Sequence, residues 1–145
     1  MTSPPEGNPA GLAKAVSTSR APGAIGPYTQ AQLVRAGEVE WLYTAGQVGL
    51  DPAKGELAAG GAAGEARQVM ANLSAVLEAA GFRFQDVVKT TIFLADMADF
   101  QDVNQVYGEA MSGALPARST VAVQGLPRGA RVEIDLVCVR RAPSA

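Results

Sequence analysis

Two residues near the end of the 145-residue chain carry the sharpest chemical signal. Arg118 stands in PARST (Pro116–Thr120) and Glu133 in RVEID (Arg131–Asp135), and the turn Gly125-Leu126-Pro127-Arg128-Gly129 joins them. A connection of that length reads as hairpin-like, with the fork of Arg118 near the Glu133 carboxylate. In the last strand Val132, Ile134, Leu136 and Cys138 share one face by the two-residue period, so Glu133 and Asp135 point the other way. Acids within an otherwise apolar strand have two readings. They are charges on a solvated face, with Arg118 a surface cation. Alternatively, Arg118 grips a substrate carboxylate through a planar guanidinium that cannot lose its charge, and Glu133 handles a proton or a water.

Composition narrows the chemistry further. The chain has no histidine, which removes Ser-His-Asp triads, Cys-His pairs, His-ligated metals and an imidazole titrating near neutrality. The single cysteine, Cys138, can form neither an intrachain disulfide nor a CxxC metal site, which suits a reducing cytoplasm, and its apolar strand face suits a buried, inert thiol. Fourteen acids against twelve bases leave a formal charge of −2, giving little attraction for nucleic acid or an anionic membrane. The sequence contains neither a membrane-spanning apolar run nor a signal-peptide pattern. A cytoplasmic protein is expected.

Weaker candidates lie elsewhere. In GPYTQ (Gly26–Gln30) a Gly-Pro turn presents Tyr28 just before a strand, where it serves packing or recognition. In AGQVGLDP (Ala45–Pro52), Gly46 and Gly49 permit close backbone approach, and no phosphate-loop lysine follows. Lys89, within VVKTTIF, is either a Schiff-base lysine or a cation at an edge or subunit interface. Arg128, Arg131, Arg140 and Arg141 cluster without interleaved aromatics, a weak pattern for binding nucleic acid.

These residues need elements to position them. Met1 to about Gly11 is Pro-rich and aperiodic, so residues 1–13 read as a flexible tail and 14–145 as one domain. Apolar positions at helical spacing predict one helix over Gly61–Ala80, closed by Gly81 as the residue after its last turn. A second is predicted over Met97–Met111, with Asp96 as N-cap. Strands are predicted at Lys14–Ser19, Gln30–Ala36, Glu40–Val48, Asp86–Leu94, Ala117–Gln124 and Arg131–Arg140. Two helices can cover one sheet face only. The strands are apolar on both, so the uncovered face is expected to meet another subunit.

Taken together, APGAIGPYTQA, YTAGQVGLDP, ARQVMANLSAVLEAAG, DVVKTTIFLADMADFQDVNQVY, PARSTV and LPRGARVEID resemble, in order and over about residues 14–141, the RidA family, also called the L-PSP endoribonuclease family. The resemblance implies an α+β fold of the bacillus-type chorismate-mutase kind. That fold is a mixed six-stranded sheet with two helices on one face, assembled as a homotrimer with clefts between subunits. It implies a metal-free and cofactor-free imine/enamine deaminase that hydrolyses 2-aminoacrylate-type intermediates to 2-keto acids and ammonia. Arg118 would hold the substrate carboxylate and Glu133 would orient water. Tyr28 would supply a wall and a hydroxyl, Gly46 its backbone, Asn104 support near the arginine, and Thr120 a small hydroxyl in the substrate-binding set. Many active members carry Ser at the position of Ala45 and Cys at that of Thr120, so substrate preference is the property these departures touch. An L-PSP-type ribonuclease or translation inhibitor, and a non-catalytic trimer binding small carboxylates, are the alternative activities.

Overall fold

The computed structural model describes residue 8 and residues 10–144. Most of the expected tail, residues 1–7 and 9, lies outside the described residues. Seven strands, β1 (Ala13–Val16), β2 (Ala31–Ala36), β3 (Val39–Thr44), β4 (Gln47–Val48), β5 (Val87–Leu94), β6 (Ala117–Ala122) and β7 (Val132–Arg141), form one mixed sheet. The helices are α1 (Gly61–Ala79) and α2 (Phe100–Met111). The sheet order is β1-β2-β3-β7-β5-β6, with β4 continuing beside β7 where β3 stops. All pairings are antiparallel except β5 with β6, which α2 connects. The architecture is α+β, as expected.

Seven strands replace the expected six because the predicted strand Glu40–Val48 breaks at Ala45-Gly46. Ala45 donates its amide to the Gln30 carbonyl at 2.9 Å, and pairing resumes only at Gln47↔Ile134 and Val48↔Glu133. The first strand also stops early, at Val16 rather than Ser19. The Thr18 backbone is claimed by the Gln30 side chain instead of a ladder partner.

The core fills the space between the sheet and the two helices. Val69, Leu73, Val76 and Leu77 of α1 and Val103 and Met111 of α2 pack against Leu42, Ile92, Ile134 and Leu136 of the sheet, all nearly or wholly excluded from solvent. Gly81 does close α1 in the left-handed region (φ 79°), where an L side chain is strained. Arg140 reaches the same helix end. It donates to the Ala80 and Gly81 carbonyls, pairs with the buried Glu40 carboxylate at 3.0 Å, and lies over the Phe82 ring at 4.3 Å. One cation thus satisfies the negative end of a helix dipole and a buried acid together. Asp96 caps the second helical stretch as expected, accepting the Ala98 amide at 2.9 Å, although its first turn is 3₁₀ over Met97–Asp99.

Cys138 is fully buried in this core, and burial pushes its thiol up to about 12. The folded protein is therefore expected to resist a thiol-disulfide reagent near neutral pH and to react with one equivalent once denatured. Rapid labelling of the folded chain would refute the burial. No helix among the described residues is long and apolar enough to cross a membrane.

Candidate active site

The site residues fall into two groups on opposite faces of the sheet. Alternation along β7 settles the first. Val132 and Ile134 are fully buried beneath the helices, so Glu133 emerges on the open face. It lines a cleft of about 170 Å³ together with Tyr28 and Gly46. The cleft's other walls are largely apolar, formed by Pro22, Ile25, Val48, Leu50 and Pro127, with Gln30 and Arg128 among the polar groups.

Gly46 leaves room for this carboxylate: a Cβ on it would stand 2.7 Å from the Glu133 Cδ and 2.8 Å from Oε2, and the glutamate side chain would have to swing away. The break between β3 and β4 brings this bare backbone against the carboxylate. Gly49 makes the other close approach expected from the sequence, against the Glu65 carbonyl. Asn72, fully buried on α1, pins the same stretch by donating to the Val48 and Leu50 carbonyls at 3.2 and 2.9 Å. Tyr28 is half-exposed, and its phenol oxygen accepts the Ile25 amide at 3.3 Å.

The Glu133 carboxyl titrates above its ordinary value, chiefly because burial disfavours the charge and secondarily because Asp135, on the same strand face, repels it. Asp135 is raised as well, again by burial, although a hydrogen bond from Thr91 and the charge of Lys89 pull the other way. Lys89 itself donates to Ser119 Oγ at 3.1 Å, so its ammonium is tied into this polar patch.

The second group sits on the helix side. Arg118 is paired in register with Thr90, whose side chain is buried and bonded to the Tyr107 hydroxyl at 2.9 Å. Its guanidinium lies 5.2 Å from the Tyr107 ring centre and 5.8 Å from that of Phe100, both on α2. Among the described residues it makes no ion pair with a carboxylate. Asn104 and Thr120 line the same small recess, and the Thr120 hydroxyl is buried there without a hydrogen-bond partner. Arg118 is thus a cation held by two aromatic rings beside an unsatisfied buried hydroxyl.

The expected hairpin juxtaposition of Arg118 with Glu133 is thus corrected. The β6 strand follows the α2 crossover and pairs in parallel with β5, not with β7. The segment from Val123 to Arg131 then carries the chain past β5, leaving that strand between the two residues. Of the sequence candidates, Tyr28, Gly46 and Glu133 come together, as do Asn104, Arg118 and Thr120, but the two sets do not meet within one chain. Gln30, Val48, Leu50 and Arg128 were not singled out as cleft residues. The glutamine had a signal, a polar side chain at the start of an apolar strand.

Of the C-terminal arginine cluster only Arg140 is drawn into the fold, where it serves Glu40 and α1. Arg128, Arg131 and Arg141 stay exposed, Arg128 donating to the Gly55 carbonyl at 3.0 Å and Arg131 lying 4.0 Å from Asp99.

Fold and site together define an α+β protein with an acid in a cleft on its open sheet face and, on the helix side, a cation that has no carboxylate partner among the described residues. Residues 18–140 match the family described as Endoribonuclease L-PSP. The mouse 2-iminobutanoate/2-iminopropanoate deaminase is 50% identical over 129 residues, 89% of this chain and 93% of the mouse protein. The crystal structure of RidA from the Antarctic bacterium Psychrobacter sp. is 40% identical, with a TM-score of 0.78 over 86% of this chain and 98% of that one. E. coli TdcF, crystallised with bound serine, is 38% identical with a TM-score of 0.78, covering 88% and 98%. The chain belongs to the endoribonuclease L-PSP family, to which the name RidA also attaches.

Proposed function

We propose that this protein is a 2-iminobutanoate/2-iminopropanoate deaminase, hydrolysing reactive imines of small 2-keto acids to the keto acid and ammonia. The observation that carries this reading is the pair of separated groups, an arginine and a glutamate that make no ion pair among the described residues, in a chain half-identical to a deaminase across most of its length. A neighbouring copy whose β6 edge, carrying Arg118, lies against the Glu133 cleft on the open sheet face would complete the pair. That face presents Trp41, Tyr43, Phe93, Val121, Val137 and Val139, with Tyr43 and Val121 well exposed, which supports burial against further copies in a homotrimer.

In the completed cleft Arg118 of one copy holds the carboxylate of the imine, with the Thr120 hydroxyl beside it and Asn104 supporting the guanidinium. Glu133 of the other copy orients a water and takes its proton. The oxygen bonds to the imine carbon as the C=N π pair moves to nitrogen, which takes the proton Glu133 removed. The carbinolamine hydroxyl then passes its proton by way of Glu133 to the nitrogen, and the C–N bond breaks as C=O forms, releasing ammonia and the keto acid. The Gly46 backbone leaves room for the carboxylate, and Tyr28 closes the wall. Fixing both reactants removes much of the entropic barrier, and a positioned base contributes roughly 10²–10⁴-fold. The imine carbon is already electrophilic, so this scheme asks nothing of a metal or redox group. A cytoplasmic setting, with its reduced thiols, accords with the lone buried cysteine.

The test uses 2-iminobutanoate and 2-iminopropanoate generated in situ by an amino-acid oxidase. The purified protein is expected to accelerate keto-acid and ammonia release above the spontaneous rate. No acceleration with either imine would overturn the proposal.

A further inference from the structure

Gln30 opens β2 and is only 3% exposed, yet its side chain spends every polar atom on one loop. Its Oε1 accepts the Thr18 amide at 2.6 Å. Its Nε2 faces the carbonyls of Thr18, Ala21 and Pro22 at 3.0, 3.2 and 2.8 Å. Two amide hydrogens cannot satisfy three acceptors linearly, so at least one bond is shared. The orientation of the carboxamide is fixed by its partners, an N–H that only donates and carbonyls that only accept.

The loop so held, residues 18–28, has its other long-range anchors only in its first half, where Ala21 is buried in the core and the exposed Arg20 guanidinium pairs with Glu78 of α1 at 2.9 Å. From there to Tyr28 the remaining bonds are local, the Tyr28 amide to the Gly26 carbonyl, with the Tyr28 phenol oxygen accepting the Ile25 amide. Ile25 and Tyr28 are 71% and 52% exposed, so packing adds little at the tip. By contrast, β1 and β2 are fully paired up to Val16↔Ala31 without the side chain of Gln30. The same residue reaches the opposite wall through its main chain, where its carbonyl accepts the Ala45 amide one position before Gly46. Gln30 therefore ties the Tyr28 wall to the Gly46 floor that meets Glu133.

We infer that Gln30 is a positioning residue of the cleft, acting through Tyr28 by fixing the loop that carries it. The inference rests on the deaminase reading for its kinetic arm only. Gln30→Leu keeps the size and removes all the bonds, whereas Gln30→Glu keeps the acceptor for Thr18 and removes the donors. Both variants are expected to fold and assemble like the parent, with faster exchange of the Thr18 amide. Their kcat/KM for the in situ imines should fall about 10- to 100-fold, as displacement of an active-site group by about an ångström does. Adding Tyr28→Phe to either should then cost less than it does in the parent, because the phenol is already displaced.

Additive losses, parental activity, or failure of both variants to fold would each overturn the inference, the last because Gln30 would then support the domain rather than the loop. If the parent itself hydrolyses no imine, the deaminase reading falls and the loop is judged separately. In that case 2-oxobutanoate is titrated and the Tyr28 ring resonances followed by NMR. Weaker binding with altered ring shifts in the variants would sustain the inference, and parental titrations would overturn it.

Discussion

Replacing Arg118 with alanine is expected to reduce imine hydrolysis to near the uncatalysed rate while leaving the folded, assembled protein intact. The side chain has no carboxylate partner among the described residues, so its removal orphans no buried acid there. It gives up only contacts with the Phe100 and Tyr107 rings, worth roughly 0.5–1 kcal/mol at a partly exposed site. Loss of a charge-assisted clamp on a bound carboxylate costs far more, roughly 2–5 kcal/mol, or about 30- to 4,000-fold in kcat/KM. Arg118→Lys should recover little of this, because a point charge lacks the planar fork. The measurement is keto-acid release from in situ imines, with assembly followed by light scattering. Parental turnover in Arg118→Ala would remove the arginine from the site.

Both residues of the pair stand out in the sequence alone. An arginine in a short Pro-bounded strand start and an acid inside an apolar strand are local anomalies, visible without knowing which strands are neighbours. Helical period likewise located α1 within a residue and the C-terminal end of α2 at Met111, while its first three predicted residues form a 3₁₀ turn, since Val69, Leu73, Val76 and Val103 had only one way to be buried. What could not be read was pairing. The turn from Gly125 to Gly129 looks like a hairpin, and nothing local to it reports that β5 has already taken the edge of β6. The break at Ala45-Gly46 was hidden for a related reason, because the Gln30 backbone, distant in sequence, supplies the partner that ends β3. Local physics specified the elements and their chemical residues. Long-range hydrogen-bond competition decided which of those residues could meet, and it placed the two key groups on opposite faces.

Glu133→Gln tests the other half of the pair and should separate activity from stability. The amide is nearly the same shape and keeps the approach to Gly46, but it cannot take a proton from water, so kcat is expected to fall roughly 10²–10⁴-fold with KM little changed. In the parent the acid limb of kcat/KM should lie above the model carboxyl value of 4.5, because burial and Asp135 both raise the group. Asp135→Asn removes the repulsion and should move that limb toward lower pH. Stability follows the opposite course to activity. A carboxyl raised on folding binds more protons in the native state, so its contribution is fully present below 4.5 and is lost as pH rises through the folded value. At neutral pH the charged Glu133 therefore burdens the fold, and the neutral glutamine relieves it. Thermal melts at pH 7 should show Glu133→Gln melting at or above the parent. A lower melting temperature there would mean that a cation, such as Arg118 of a neighbouring copy, already compensates the carboxylate in the assembled protein. Parental kcat in Glu133→Gln would show instead that water is activated without it.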